Sequence, residues 1–199
     1  MERKELDMVF RFMLAANRIK SLKRSGWVLS GIDEPEHVGD HSFGVALLSY
    51  IMAKNMGLDA DKCMRMGLIH DVCEAVHGDI ARRPTEALQG ITNREKEAIE
   101  DRSMRRMLSV LSRKDRAHFA GLWRESIEMK TPESRVVRAA DGMDLLLQLT
   151  EYSKRIGDAE RLEEFLTTSK RKMSGDDFLY LYGKARRRIL SSRRARRGR

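Results

Sequence analysis

Residues 68–79 read LIHDVCEAVHGD, and five of these side chains can hold a metal ion or move a proton: His70, Asp71, Glu74, His77 and Asp79. On a helix, His70 and Glu74 stand four apart and Asp71 and Glu74 three apart, so they cluster on one face. His70 and Asp71 lie about 100° apart around the helix axis and reach into one cavity from different sides. Neutral imidazole and carboxylate together suit a divalent transition metal better than Mg²⁺ or Ca²⁺, which prefer oxygen shells. Two ligands hold an ion poorly, so other helices must contribute. The candidates are His41 in GDHSF, and Asp141 or Asp144 in AADGMD. Asp141 interrupts the apolar run VVRAADGMDLLLQL, where an unpaired carboxylate is costly to bury and a metal would partner it. A lone His-Asp dipeptide is common by chance. The order His41, His70-Asp71, Asp141, each flanked by apolar residues, carries the argument.

These residues must be placed by helices. Three prolines and no alternating β-branched run predict an all-α chain. Residues 5–22 put Leu6, Phe10, Met13, Leu14 and Leu22 near helical spacing. The stretch RSGWVLSGIDEPEHVGD, with three glycines and a proline, reads as a long loop. A helix from about Asp40 should stop at Gly57, and Asp59 should cap the next, which carries the His-Asp pair to Gly78. Residues 81–92 read as a second loop. Helical stretches follow at about 93–112 and 114–130, then from Pro132 in a first-turn position, then 158–170 and 175–191.

Composition narrows the function classes. The 199 residues, 41% hydrophobic, suffice for one domain with a sizeable core. No window reaches the roughly 18 apolar residues of a membrane span, and the charged start MERKELDMVF is unlike a signal peptide. Cys63 and Cys73 form neither a disulfide framework nor a CxxC pair, and a cytoplasmic protein is expected. The net charge of +9 invites a nucleic-acid reading. However, the last sixteen residues, KARRRILSSRRARRGR, hold nine of the 39 Lys and Arg and none of the 30 acids. The body is therefore formally neutral. The tail could contact nucleic acid or phospholipid headgroups, or be a solvated helix end that frays.

The order His, His-Asp, Asp resembles the HD-domain metal-dependent phosphohydrolases over most of residues 5–155. LKRSGWVLSGIDEPEHVGDHSF and HDVCEAVHGDI are similar to the corresponding stretches of the 5′-deoxynucleotidase branch. The resemblance implies a single compact all-α domain, an orthogonal helical bundle over residues 1–183, with 184–199 as a basic tail. It implies His41, His70, Asp71 and Asp141 as ligands of a divalent cation (Mn, Co, Zn, Fe or Mg). Glu74 would position or deprotonate the attacking water, and Asp79 would contact the sugar. Arg24 would meet the phosphate, and Trp27 would crowd the ribose 2′ carbon so that deoxyribonucleoside 5′-monophosphates are preferred. Trp27 has a second reading as a core aromatic. The chain departs from the branch at Gly26, His37 and Gly39. His37 reads as a loop histidine, His77 as surplus to four ligands, and His118 as structural. Related nucleotidases are commonly homodimers. Other HD phosphohydrolases act on alarmones, nucleoside triphosphates or cyclic nucleotides, but the alarmone pattern HDxxED meets Ala75 here.

Overall fold

The computed structural model describes residues 2–83 and 85–197, with side chains described through Arg193. Eleven α-helices occur among them: α1 (Arg3–Ala16), α2 (Ser25–Val28), α3 (Val38–Asn55), α4 (Ala60–Ile69), α5 (Glu74–His77), α6 (Glu86–Gln89), α7 (Asn93–Leu108), α8 (Arg113–Glu128), α9 (Pro132–Tyr152), α10 (Ala159–Lys172) and α11 (Asp176–Arg197). The fold is all-α; the one extended pairing among these residues is an isolated bridge between Lys23 and His37. No described helix is long and apolar enough to cross a membrane.

Local chemistry explains the helix starts. The Asp59 carboxylate accepts from Lys62 N at 2.8 Å and opens α4. Thr92 and Glu95 cap α7 reciprocally, the Glu95 carboxylate accepting from Thr92 N at 2.8 Å and Thr92 Oγ1 accepting from Glu95 N at 3.1 Å. Thr131 caps α9, and Pro132 takes its first position, where a missing N–H removes no helix hydrogen bond.

The core is built around α9, which packs on α3, α4, α8, α10 and α11. Val136, Val137, Ala139, Ala140, Leu145, Leu146 and Leu149 are all buried, so α9 is apolar on most of its circumference, as a central helix must be. α3 and α4 run very close together. A Cβ on Gly67 would stand 2.7 Å from Ala46 Cα, so only glycine allows the approach. That contact lies one turn before His70 and draws α4 towards the helix bearing His41.

Several expectations need correction. The helix expected to run from Asp59 to Gly78 breaks at Ile69. His70 N still bonds to Met66 O, but Val72, Glu74, Ala75 and Val76 bond three residues back. In such tight winding residues i and i+3 eclipse, which aligns Asp71 with Glu74 more closely than an α-helix does. α1 stops at Ala16, and a 3₁₀ turn (Asn17–Lys20) follows. Leu6, Phe10, Met13 and Leu14 are exposed, while Phe12 and Ala15 meet the core instead. The two loops contain the short helices α2 and α6. α11 extends through the basic segment to Arg197; Ala185 and Ile189 are buried, and Arg193 Nη1 donates to Ser153 O at 3.2 Å and Ile156 O at 2.8 Å. Residues 198 and 199 lie outside the described residues.

Candidate active site

His41 sits in the second turn of α3 with its ring fully buried. Its Nδ1 lies 2.7 Å from Asp144 Oδ2 on α9. Space for that carboxylate exists because residue 44 is glycine; a Cβ there would collide with Asp144. His70 is oriented equally firmly, its Nδ1 lying 2.7 Å from Gly67 O, while Trp123 Nε1 donates to His70 O at 3.2 Å. Nδ1 donates a proton in both pairs, because a carbonyl oxygen only accepts and a carboxylate does so when ionised. Each neutral ring therefore presents a bare Nε2 lone pair.

Both Nε2 atoms are buried without a hydrogen-bond partner. They converge on one carboxylate: His70 Nε2 is 3.1 Å and His41 Nε2 3.8 Å from Asp71 Oδ2. The 3.1 Å approach lacks hydrogen-bond geometry. His41, His70 and Asp71 each offer a ligand atom within 4.8 Å of the others, so the donor set fits a divalent ion. Asp141 Oδ1 lies 3.4 Å from His41 Nε2, but both Asp141 oxygens accept from Lys172 Nζ at 2.6 Å. Glu36 stands beside His41 and Asp144, each offering a ligand atom within 4.8 Å of the others.

The electrostatics separate the acids into two kinds. Burial works against an ionised Asp71, yet His70, His41 and Arg24 outweigh it and hold its pKa far below the usual carboxylate range. Asp141 is likewise held ionised against burial, chiefly by Lys172 and the two imidazoles. Burial disfavours a charged His70 ring, but Asp71, Asp141 and the Gly67 carbonyl prevail and raise its pKa. A surrounding that favours positive charge on that ring also favours a dication. Glu74 is the opposite case. Burial, then repulsion from Asp71 and Asp79, push its pKa well above normal, and its Oε2 has no partner.

Of the remaining expected residues, Arg24 and Asp79 line a cavity of about 200 Å³ that also reaches His70, Asp71 and Glu74, and Trp27 does not. Arg24 Nη1 is 3.4 Å from Asp71 Oδ2 and its Nε is 3.8 Å from Glu36 Oε1. Burial opposes its charge, but Asp79, Asp71, Glu36 and Glu74 keep it firmly protonated. Asp79 Oδ2 accepts from the backbone N and the hydroxyl of Ser25, and so holds the start of α2. Trp27 is 1% exposed, stacked on Phe165 (centroids 4.2 Å apart, 20° between planes) and edge-on to Tyr152. Its Nε1 donates to Glu36 Oε1 at 2.7 Å, and it meets only a small second cavity of about 70 Å³.

His37 ends the loop before α3, where its N donates to Asp40 Oδ2 at 2.8 Å, and it is not among the residues grouped with His41, His70 and Asp71. His77 lies near Glu100 and Lys96, and burial lowers its pKa. His118 is exposed and rests edge-on against Phe119. Sequence reasoning missed Lys172 and left Asp144 as an alternative ligand. Lys172 ends the run KRK at the close of α10, where cations are common because they suit a helix C-terminus. The spacing of Asp144 to Asp141 was the available signal for a carboxylate facing α3.

The fold and donor set can now be set beside known proteins. A family model described as the HD domain matches residues 16–177. The chain belongs to the HD-domain family. This HD-domain chain is similar to 5′-deoxynucleotidase HDDC2 of Danio rerio, 28% identical over 176 residues that cover 88% of this chain and 85% of that protein. The Homo sapiens protein of that name is 28% identical over 173 residues, covering 87% and 82%. Among solved structures, the PH0347 protein from Pyrococcus horikoshii OT3 aligns with a TM-score of 0.72 and 28% identity, covering 90% of this chain and 99% of that one. Membership of the HD-domain family implies a divalent metal, in agreement with the two bare imidazole nitrogens.

Proposed function

We propose that this chain hydrolyses deoxyribonucleoside 5′-monophosphates to deoxynucleoside and phosphate, using a divalent cation held by His41, His70, Asp71 and Asp141. It is an HD-domain hydrolase of phosphate monoesters; the deoxynucleotide and the ligand set are our reading. The observation that carries it is the convergence of two bare Nε2 atoms on Asp71, beside a buried Glu74 whose Oε2 has no hydrogen-bond partner.

A divalent ion bound there supplies positive charge to the phosphate oxygens and acidifies water. Glu74 orients the attacking water and accepts its proton, and a raised pKa makes its carboxylate a stronger base. Arg24, held in the cluster by Asp71 and Glu36, presents its remaining guanidinium N–H groups to the phosphate. Asp79 keeps one oxygen on Ser25 and offers the other to the sugar 3′ hydroxyl. Trp27, backed by Phe165, closes the small cavity beside Arg24 and Asp79 and limits room for a 2′ hydroxyl. The two free buried thiols, Cys63 and Cys73, agree with a reducing cytoplasm. Exposed Phe43, Leu47 and Ile51, one turn apart on α3, favour a homodimer.

The test is phosphate release from a panel of deoxy- and ribonucleotides with Mn²⁺, Co²⁺, Zn²⁺, Fe²⁺ or Mg²⁺. Metal-dependent release that is faster from dAMP than from AMP supports the reading. Release only from another phosphate ester, or none with any metal, overturns it.

A further inference from the structure

Beside the cavity that holds Asp71 and Glu74, whose wall mixes acids and bases, lies another of about 210 Å³ whose charged residues are nearly all basic. Its wall includes Arg82, Arg83, Arg138, Arg171 and Lys172, with Glu86 as its one acid among the described residues. The two cavities share Arg82, Arg138 and Lys172, so they meet along a common boundary. Arg83, Arg171 and Lys172 are already engaged within the protein. Arg83 makes a two-point contact with Glu164 at 3.0 Å for each bond, and Lys172 holds Asp141. Glu86 is also committed, its Oε1 accepting from Asn93 N at 2.7 Å.

Arg82 and Arg138 are different. Neither takes part in an ion pair or side-chain hydrogen bond among the described residues. Arg138 is half-buried on α9, one turn before Asp141, and near enough to Lys172 to oppose its charge. A half-buried guanidinium with no ion-pair partner of its own, beside a second cation, is better accommodated when an anion joins them. The planar fork of arginine matches phosphate oxygens two at a time. The cavity is therefore built for an anion, and its boundary with the catalytic cavity makes that anion part of the molecule being hydrolysed.

We infer that Arg82 and Arg138 form a second phosphate subsite, and that the preferred substrate carries a phosphate group besides the one removed. The inference rests on the phosphohydrolase reading for the first subsite. In the reaction, water oxygen forms a bond to the scissile phosphorus, the bond from phosphorus to the 5′ oxygen breaks, and that oxygen takes a proton. The second phosphate stays on the released product. It can be an inner phosphate of a 5′-diphosphate, in which case the bond that breaks is to the bridging oxygen and the 3′ hydroxyl stays free for Asp79; or it can be a 3′-phosphate or the phosphodiester of a short 5′-phosphorylated oligonucleotide, in which case no 3′ hydroxyl is left to donate and Asp79 keeps only its bonds to Ser25.

Kinetics and binding on the full chain test this. With the metal that gives turnover, kcat/KM is measured for dAMP, deoxyadenosine 3′,5′-bisphosphate, a 5′-phosphorylated dinucleotide and dADP. At least one doubly phosphorylated compound should exceed dAMP tenfold or more, and the identity of that compound tells which source the subsite takes. In the double variant Arg82→Gln/Arg138→Gln, the ratio of that compound to dAMP should fall at least tenfold. Calorimetric titration with the same compounds reads the subsite even where no hydrolysis occurs, so failure of the catalytic reading is separable from failure of this one. Thermal melting of the variant checks that it folds; if it does not, the single Arg82→Gln variant at an exposed position replaces it. Equal affinity for dAMP and every doubly phosphorylated compound in the unaltered protein overturns the inference, as does an unchanged ratio in the variant. Tighter binding of orthophosphate than of any nucleotide also overturns it, because the anion would then be a free ion.

Discussion

Replacing Gly44 by alanine tests how firmly the His41 ring is held. The new Cβ would lie 2.9 Å from Asp144 Cγ, with Oδ1 closer still. Carbon–carbon contacts are comfortable from about 3.5 Å, so the carboxyl must withdraw by roughly 0.6–1 Å. The His41 Nδ1 to Asp144 Oδ2 distance starts at 2.7 Å. It would lengthen to roughly 3.3–3.7 Å, at or past the limit of a hydrogen bond. Loss of a carboxylate behind a metal-binding histidine typically lowers metal affinity about 10–100-fold, or about 1.4–2.7 kcal/mol. Folding should change much less, since alanine gains about 1 kcal/mol over glycine inside a helix and offsets part of the clash. Mn²⁺ binding measured by competition with a chelating dye, alongside thermal melting, reads both quantities. Gly121→Ala, where no atom lies within 4 Å of the new Cβ, is the control and should leave metal affinity unchanged. A Gly44→Ala protein that binds Mn²⁺ within twofold of the parent would refute the reasoning, because the ring would then hold its direction without Asp144.

Four other outcomes follow from the same geometry. Asp71→Ala should abolish metal binding and turnover while the protein still melts cooperatively; a full equivalent of metal in the purified variant would contradict the ligand assignment. Glu74→Gln should keep the metal and lose about 10² or more of kcat, and an unchanged kcat would remove Glu74 from the chemistry. Trp27→Ala should cost about 3–5 kcal/mol in denaturant unfolding, because it empties a core position, and should narrow the ratio of kcat/KM for dAMP over AMP; a small loss of stability would argue against a buried indole. Burial raises the pKa of Glu36 despite Arg24 and Trp27. A carboxyl with a folded pKa above its unfolded value favours folding at low pH and loses that contribution as pH rises through the folded pKa. Glu36→Gln should therefore raise Tm at pH 7, and the gain should close towards pH 4; a gain that persists at pH 4 would place the effect elsewhere.

What the sequence disclosed depended on whether a feature was local. Asp59, Pro132 and the run around Leu145 and Leu149 declare a cap, a helix start and a buried stripe through nearest neighbours alone. His41, His70 and Asp71 could be picked out because polar groups with metal-binding chemistry stood among apolar ones. The helix break after Ile69 gave no such sign, since LIHDVCEAVH contains neither glycine nor proline. The α1 face was misread for the same reason: Phe10 and Leu14 have core-like periodicity, but nothing in a periodic pattern says that a partner helix is present. Lys172 and Asp144 acquire their roles from residues 31 and 103 positions away, Asp141 and His41. Such pairings are invisible until the chain is folded.

The docking of α11 changes what the arginine-rich end is. Ile189 lies in the core and Arg193 closes the carbonyl end of α9 with two hydrogen bonds. α9 is the helix that carries both Asp141 and Asp144. The end of the chain is thus a clasp on the helix behind the catalytic cluster, and its charges are mounted on a structural part. Cutting the chain at residue 184 would remove that clasp together with the positive charge, and a loss of activity or of nucleic-acid binding in such a fragment would have two causes. Neutralising Arg186, Arg187 and Arg188 by substitution with glutamine, while keeping Ile189 and Arg193, separates charge from support.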